Sequence, residues 1–549
     1  MKVMLVHCRF PSHSWETCPP YGVASLAEYA RSILAQADVR VIDANALGLS
    51  EADAACHVAR FQPDILGLSF MTAQAEYAYK LTELVKGNTL LRKTSVVHGG
   101  VHATALPDDA LDHGADVCVL GEGEETLCEL ASLARNGGDL HEVRGIAFRE
   151  IGRTVRTAAR PLIEDLGRVP LPRWFDFPLS DYTQTLHVEA GLALPIMASR
   201  GCRHRCSYCF NHTMWGGRVR QYSPERISSS MIEANALHGI TRFHFYDDDL
   251  LFCPEWVEDL CARLLSSALR FRWIGLVRPD SVCRHRRLLA LMRRAGCVGL
   301  EVGVESTSPD VLRMMGKDQS PTVAIDAIRT LREASIPLAV LLLMSCSPGE
   351  TLEKLYAQGE LLRVGTGLDH VFLSSFATPY PGTRFWQTAG QQGRVLATRW
   401  SEYHTENLTF APYSLLRQKP VRAVQDLSPM DMLLAAVYCK PRKGQPAALR
   451  DSLAFRHLRR LFLGLDGTTT IDEVARRAAD EGAYGGHQQS FATTIRAILV
   501  WAQTGAVSSA CSARKEPAHW TESGRCPHPM SWYLKNRSNL YRHTVSWNS

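Results

Sequence analysis

The chain has 549 residues and a net charge of +5, with 46% hydrophobic and 21% charged residues. At about 150 residues per domain there is room for three or four domains, and the composition excludes wholesale disorder. The charge is too mild to point to a nucleic-acid partner, and no apolar run approaches the ~20 residues of a membrane helix.

The opening stretch Met1–His7 is a short apolar strand, soon followed by polar residues and Pro11. It lacks the apolar core and small-residue cleavage site of a signal peptide, so a cytoplasmic location is expected. Residues 1–135 then alternate strands and amphipathic stretches. The strands are Lys2–His7, Val39–Asp43, Ile65–Phe70, Ser95–Gly99 and Val117–Gly121; helices fall near Val23–Leu34, Ala75–Lys86 and Glu124–Ala134. Unalternated apolar strands followed by helices predict a doubly wound parallel sheet, with ligands at its carboxyl ends. Those ends carry Ser69 and Thr72, then Gly99, Gly100 and His102, then Gly121, Glu122 and Gly123. Glycines there let a ligand approach the backbone.

Residues 136–190, with strand-like Gly145–Phe148 and the Val169–Arg173 stretch with its two prolines, read as a connector. Strand–helix alternation resumes over 191–400, with strands near Ile196–Ser199, Arg242–Tyr246, Arg272–Leu276, Gly299–Val304, Leu338–Met344 and Asp369–Ser375. Six such units predict a partial (βα)6 or full α/β barrel with its chemistry at the strand carboxyl ends. Residues 401–507 read as a small, mainly helical domain with helices at Met430–Tyr438, Leu453–Leu463, Ile471–Asp480 and Ala492–Thr504; 508–549 is a polar tail.

Sixteen cysteines in a reduced compartment do not form a disulfide framework. Thirteen are scattered in apolar contexts and read mostly as small buried hydrophobes. The other three, Cys202, Cys206 and Cys209, form CxxxCxxC directly after the first barrel strand. Soft thiolates select zinc or iron–sulfur clusters. Three on one loop leave one iron of a four-iron cluster open to bind and activate a ligand. A zinc site completed by His204 or His212 would normally use two separated ligand pairs, and no second pair follows at suitable spacing.

The triplet, with Tyr208 before its last cysteine, resembles the radical S-adenosylmethionine (SAM) superfamily. Later motifs agree in order: Phe245-Tyr246-Asp247-Asp248-Asp249, Gly299–Ser306, Pro348-Gly349-Glu350-Thr351 and Tyr380-Pro381-Gly382-Thr383, with Ser347 standing where glycine is usual. The resemblance implies that Cys202, Cys206 and Cys209 hold a 4Fe-4S cluster whose open iron chelates SAM. It places Tyr208 beside the adenine and gives Asp247, Glu305 and Ser306 contacts to SAM. Taken singly, Glu305 reads equally as a salt-bridged barrel residue, and Asp247–Asp249 as a magnesium site or a plain loop.

The first domain resembles the cobalamin-binding domain of class B radical SAM enzymes, through Pro20-Tyr21-Gly22, Asp43, Pro63–Ser69, His98–Thr104 and Gly121–Thr126. The DxHxxG signature is absent. His98, His102 and His113 lie nearby without its spacing, so cobalamin is expected with no histidine below the cobalt. A degenerate sheet that has lost its cofactor is the competing account. The resemblance implies a methyltransferase that abstracts hydrogen with a 5′-deoxyadenosyl radical and delivers methyl from methylcobalamin. It would act on a non-nucleophilic centre of a small natural-product intermediate and draw electrons from a donor such as flavodoxin or ferredoxin.

The rivals are a non-methylating cyclase or rearrangement enzyme with the same cofactors, a transfer-RNA methylthiolase lacking its second cysteine triplet, and a cobalamin carrier or sensor. Among methylating members the layout is most similar to the P-methylases of phosphinate (phosphinothricin/bialaphos-type) antibiotic biosynthesis. An anionic P–H substrate would need arginine, lysine or strand-end amides at its oxygens, and Arg200, Arg278 and Arg384 are the residues to examine. The terminal helices are expected either to close the cavity and select substrate or to cap the barrel.

Overall fold

A computed structural model describes residues 1–11, 17–186, 191–345, 347–350, 371–395 and 397–403, with a few single positions between 354 and 362 and at 409. Two compact units separate, 1–349 with 361–412, and 350–360 with 413–549. The four helices expected after residue 400 and the polar tail lie outside the described residues.

The first sheet contains β1 (Lys2–His7), β2 (Asp38–Asp43), β3 (Ile65–Ser69), β4 (Ser95–Gly99), β5 (Val117–Val119), β6 (Ile146–Glu150) and β7 (Arg153–Arg156), in the order β2-β1-β3-β4-β5-β6-β7. The first five are parallel, and β6 and β7 add an antiparallel hairpin. This hairpin falls inside the stretch expected to be a connector. Order 2-1-3-4-5 reverses between β1 and β3, which is where a doubly wound sheet opens its ligand crevice.

Strand alternation divides the core. Val3, Leu5, Ile65, Val97 and Val119 face helices Tyr21–Ile33 and Glu124–Asn136, while Met4, Val6, Leu66, Leu68 and Val96 face Glu51–Phe61 and Ala75–Gly87. The helix Glu51–Phe61 was not anticipated, although Ser50 and Asp53 form a reciprocal capping box at its start. The first cluster continues through Trp174, Phe177 and Tyr182 into the outer face of the second sheet, at Phe243, Phe245, Trp273 and Leu300. The connector is therefore core that joins the two sheets.

The second sheet contains β8 (Leu194–Ile196), β11 (Arg242–Phe245), β12 (Arg272–Val277), β13 (Cys297–Glu305), β14 (Leu338–Ser345) and β15 (Val371–Phe376), all parallel and in chain order. It is an open, partial barrel. Between its first two strands a short antiparallel ribbon, β9 (Ser199–Arg200) with β10 (Arg220–Gln221), brackets the cysteine loop. No helix among the described residues is long and apolar enough to cross a membrane.

Candidate active site

The cysteine loop leaves β9 through Gly201, whose φ is +99°. A Cβ at that position would stand 1.9 Å from the Arg218 carbonyl oxygen, so the two arms of the ribbon close only over glycine. Beyond it the backbone is pinned from two sides. The Ser207 amide donates to the Met315 carbonyl at 2.7 Å, and the Phe385 amide donates to the Ser207 carbonyl at 2.9 Å. Arg384 adds a bond to the Arg205 carbonyl. Cys202, Cys206 and Cys209 are half-buried free thiols within electrostatic reach of one another. Burial raises the Cys202 thiol and pushes that of Cys209 up to about 12, so both keep their protons until a metal displaces them.

Among the described residues no three His, Cys, Asp or Glu side chains converge on a single ion. A four-iron cluster asks for less convergence, because its thiolates bind different irons. The donor set, three thiols on one fixed loop at a barrel strand end, fits such a cluster.

Next to the loop, the Tyr208 hydroxyl donates to Glu305 Oε1 at 3.1 Å. Burial and the facing Glu305 carboxylate hold the phenol well above its usual range. Glu305 ends β13 at a register shift, with φ +56°. A bulge there re-aims its side chain at the carboxyl end of the sheet. Its second oxygen accepts from Lys317, whose ammonium also donates to the Gly303 carbonyl at 2.7 Å. Glu305 is thus both the expected site residue and a salt-bridged one. A buried carboxylate and ammonium side by side suit the two ends of an amino-acid zwitterion. Lys317 was missed in the sequence, where it is an isolated lysine after a short helix. Ser306 is buried beside Glu305, and its hydroxyl accepts from the Ser308 amide at 3.2 Å.

Three expected cofactor contacts have protein partners. Asp247 accepts from Ser199 and, at 3.1 Å, from the Ala198 amide, tying β11 to the start of the ribbon. Burial lifts its carboxyl to about 7. His102 is fully buried, with Nε2 2.9 Å from the Tyr79 hydroxyl and Nδ1 3.2 Å from Thr72 Oγ1. Glu122 lies between Arg200 and Arg220. The reason is common to all three: a polar group shut in at a strand end has to find hydrogen-bond partners within the protein.

The remaining first-domain candidates gather at the carboxyl ends of β3, β4 and β5. Ser69 and Gly99 end their strands. Gly100, at φ +92°, packs where a Cβ would stand 2.7 Å from the Phe70 carbonyl. The Gly121 amide donates to Thr104 Oγ1 at 3.1 Å, and space beside Gly121 is open. Gly123 caps the helix Glu124–Asn136. His98 is buried against Thr82, at 2.8 Å, and burial drives its imidazole down to about 3. His113 stacks on Tyr79 at 4.0 Å. At the end of β2, Asp43 accepts from Tyr182 at 2.7 Å and lies 2.9 Å from His7 Nδ1.

Ala105, just past β4, and Phe210, just past Cys209, both pack on Gly382.

Residues 14–131 match the B12 binding domain family, and residues 196–357 match the radical SAM superfamily. An uncharacterized methyltransferase of Pyrococcus horikoshii is 30% identical over 392 residues, which is 71% of this chain and 82% of that protein. The chain belongs to the cobalamin-binding radical SAM enzymes. An anaerobic magnesium-protoporphyrin IX monomethyl ester cyclase of Synechocystis is 28% identical over 71% of the chain and 77% of the relative. Cytidylyl-2-hydroxyethylphosphonate methyltransferase of Streptomyces wedmorensis is 26% identical over 49% and 55%.

Two solved cobalamin-bound radical SAM enzymes share the fold. OxsB, at 16% identity, has a TM-score of 0.65 and covers 92% of this chain and 84% of its own. TsrM from Kitasatospora setae, at 19% identity, has a TM-score of 0.60 and covers 92% and 100%.

The cofactors of this radical SAM enzyme are accordingly a 4Fe-4S cluster, SAM and cobalamin. The thiols of the cysteine loop fit the first; Tyr208, Glu305 and Lys317 are the candidate contacts for the second, and the open space at Gly121 the candidate for the third. Of the nearby histidines, His102 is bonded through both ring nitrogens, His98 reaches Thr82 through Nε2 while its buried Nδ1 has no partner, and His113 stacks on Tyr79.

Proposed function

We propose that this radical SAM enzyme is a methyltransferase acting on a non-nucleophilic centre of a small natural-product intermediate. When bound, the cluster and SAM supply radical cleavage and cobalamin a transferable methyl group. The protein holds these cofactors and the substrate in register and keeps water out. The observation that supports the reading is a contact between the two sheets: Glu122, three residues past β5, pairs with Arg200, two residues before Cys202. Lys317 and Glu305 orient the amino-acid end of SAM, and the pinned Ser207 backbone fixes the thiols.

For the substrate, the arginines expected to hold a phosphinate are engaged elsewhere. Arg200 lies between Glu122 and Glu124, Arg278 pairs with Asp280 at 2.9 Å, and Arg384 donates to the Arg205 carbonyl. An unactivated carbon is therefore favoured over an anionic P–H centre. The cyclase relative favours a second reading, oxidative cyclisation without methyl transfer.

Anaerobic reconstitution with deuteromethyl-SAM, carbon acceptors and an N-acetylated P–H phosphinothricin precursor separates the three readings. Label on carbon, with S-adenosylhomocysteine and 5′-deoxyadenosine both formed, supports the proposal. A labelled P–CH3 resonance restores the phosphinate, and product without S-adenosylhomocysteine favours cyclisation. Reductant is supplied chemically or by flavodoxin or ferredoxin.

A further inference from the structure

The contact between the two cofactor-binding sheets has a buried ionic centre. Glu122, three residues past β5, accepts from Arg200 Nη1 at 2.8 Å through one oxygen. Its other oxygen accepts from Arg220 Nη1 at 2.9 Å and from the Ile163 amide at 2.9 Å. Glu124 takes the second arm of Arg200 at 2.6 Å. All four side chains are only 5–8% exposed. Arg200 and Arg220 face each other across the ribbon, and Arg200 stands two residues before Cys202 with only the constrained Gly201 between.

Two acids from the cobalamin-binding sheet thus interlock with two bases from the ribbon that carries the cluster loop. Burial alone would raise the Glu122 carboxyl, but Arg220 and Arg200 bring it below the usual range, so it stays ionised. Such a group is poorly suited to drive folding, because buried pairs often do no better than apolar ones of the same shape. Its fork geometry, by contrast, sets a direction and a distance.

We propose that Glu122 and Arg200, with Glu124 and Arg220, form a clamp that sets the spacing between bound cobalamin and the cluster. They are positioning residues whose loss uncouples SAM cleavage from methyl transfer. The inference rests on the methyltransferase reading. Small misplacement of reacting groups costs up to about 100-fold in rate. Methyl transfer should suffer this loss, whereas SAM cleavage, which takes place wholly within the barrel, should not.

The test uses the full-length protein reconstituted with iron, sulfide and cobalamin, as wild type, Glu122→Gln and Glu164→Gln. Glu164 pairs with Arg218 at the exposed surface and serves as the control. One readout is the ratio of 5′-deoxyadenosine to S-adenosylhomocysteine. The other needs no turnover: relaxation of the cob(II)alamin electron paramagnetic resonance signal by the reduced cluster, which depends on their separation. Glu122→Gln should raise the ratio about 10- to 100-fold and weaken the relaxation, with iron and cobalamin contents unchanged; Glu164→Gln should match wild type. Wild-type ratio and relaxation in Glu122→Gln would overturn the clamp. If that variant is insoluble, Glu124→Gln, which removes one arm only, decides by the same two readouts. Wild type that forms no S-adenosylhomocysteine would overturn the methyltransferase reading, and the relaxation measurement would still judge the spacing role.

Discussion

Replacing Gly201 with alanine isolates the constraint that shapes the cluster loop. The backbone there is left-handed at φ +99°, which costs an L-residue roughly 1–2 kcal/mol. The new methyl would also stand 1.9 Å from the Arg218 carbonyl oxygen. That atom is backbone, next to the ribbon's return strand, and cannot rotate aside. Relief requires the ribbon to open, at an overpacking cost of about 1–3 kcal/mol. The sum is about 2–5 kcal/mol, concentrated where Cys202 begins the loop.

Gly216 supplies the comparison: its φ is +59°, and nothing lies within 4 Å of a Cβ there. Alanine at Gly216 should cost only about 1 kcal/mol. Urea unfolding of the apoprotein, followed by fluorescence of its 11 tryptophans, measures both, and iron per chain after reconstitution reports the loop. The predicted result is a Gly201→Ala protein less stable than Gly216→Ala and deficient in iron. Two variants of equal stability, both with full iron, would refute the steric argument.

Lys317→Met should weaken SAM binding about 10- to 100-fold while leaving iron content unchanged, as read by equilibrium dialysis. Asp247 predicts a pH effect on the apoprotein. Its carboxyl rises from an ordinary 3.8 to about 7 on folding, so the folded state holds a proton that the unfolded state has released. Stability should therefore fall as pH rises from about 4 to about 7 and level off above, and Asp247→Asn should flatten that slope in urea titrations. Bound cob(II)alamin should show no nitrogen superhyperfine splitting, since the sequence lacks the DxHxxG signature and His98, His102 and His113 do not have its spacing. Replacing Cys202, Cys206 and Cys209 together by alanine should abolish iron binding and 5′-deoxyadenosine formation.

The parallel strands were legible because each is an uninterrupted apolar run, and observed ends differ from expected ones by up to three residues, the most at β8. Helix Glu51–Phe61 was overlooked because its alanines, His57 and Arg60 make a weak apolar stripe, although Ser50 and Asp53 signalled its start. Of the β6–β7 hairpin only the strand-like Gly145–Phe148 stretch was legible; β7 was hidden by its exposed Arg153 and Arg156. Cys202, Cys206 and Cys209 stood out through spacing alone, and Tyr208 through the family resemblance. Glu122 and Arg200 were singled out as ligand contacts rather than as a pair, since both sit at strand ends where a ligand contact and an ion pair look alike in one dimension. Only the fold brings residues so distant in sequence together, and the same holds for Lys317 with Glu305.

The most direct test of the central claim needs no substrate. The reconstituted full-length protein, reduced in the presence of cobalamin and deuteromethyl-SAM, should transfer the label to its bound cobalamin and release S-adenosylhomocysteine in equal amount. Cobalamin that stays unlabelled while SAM is cleaved to 5′-deoxyadenosine would contradict the methyltransferase account.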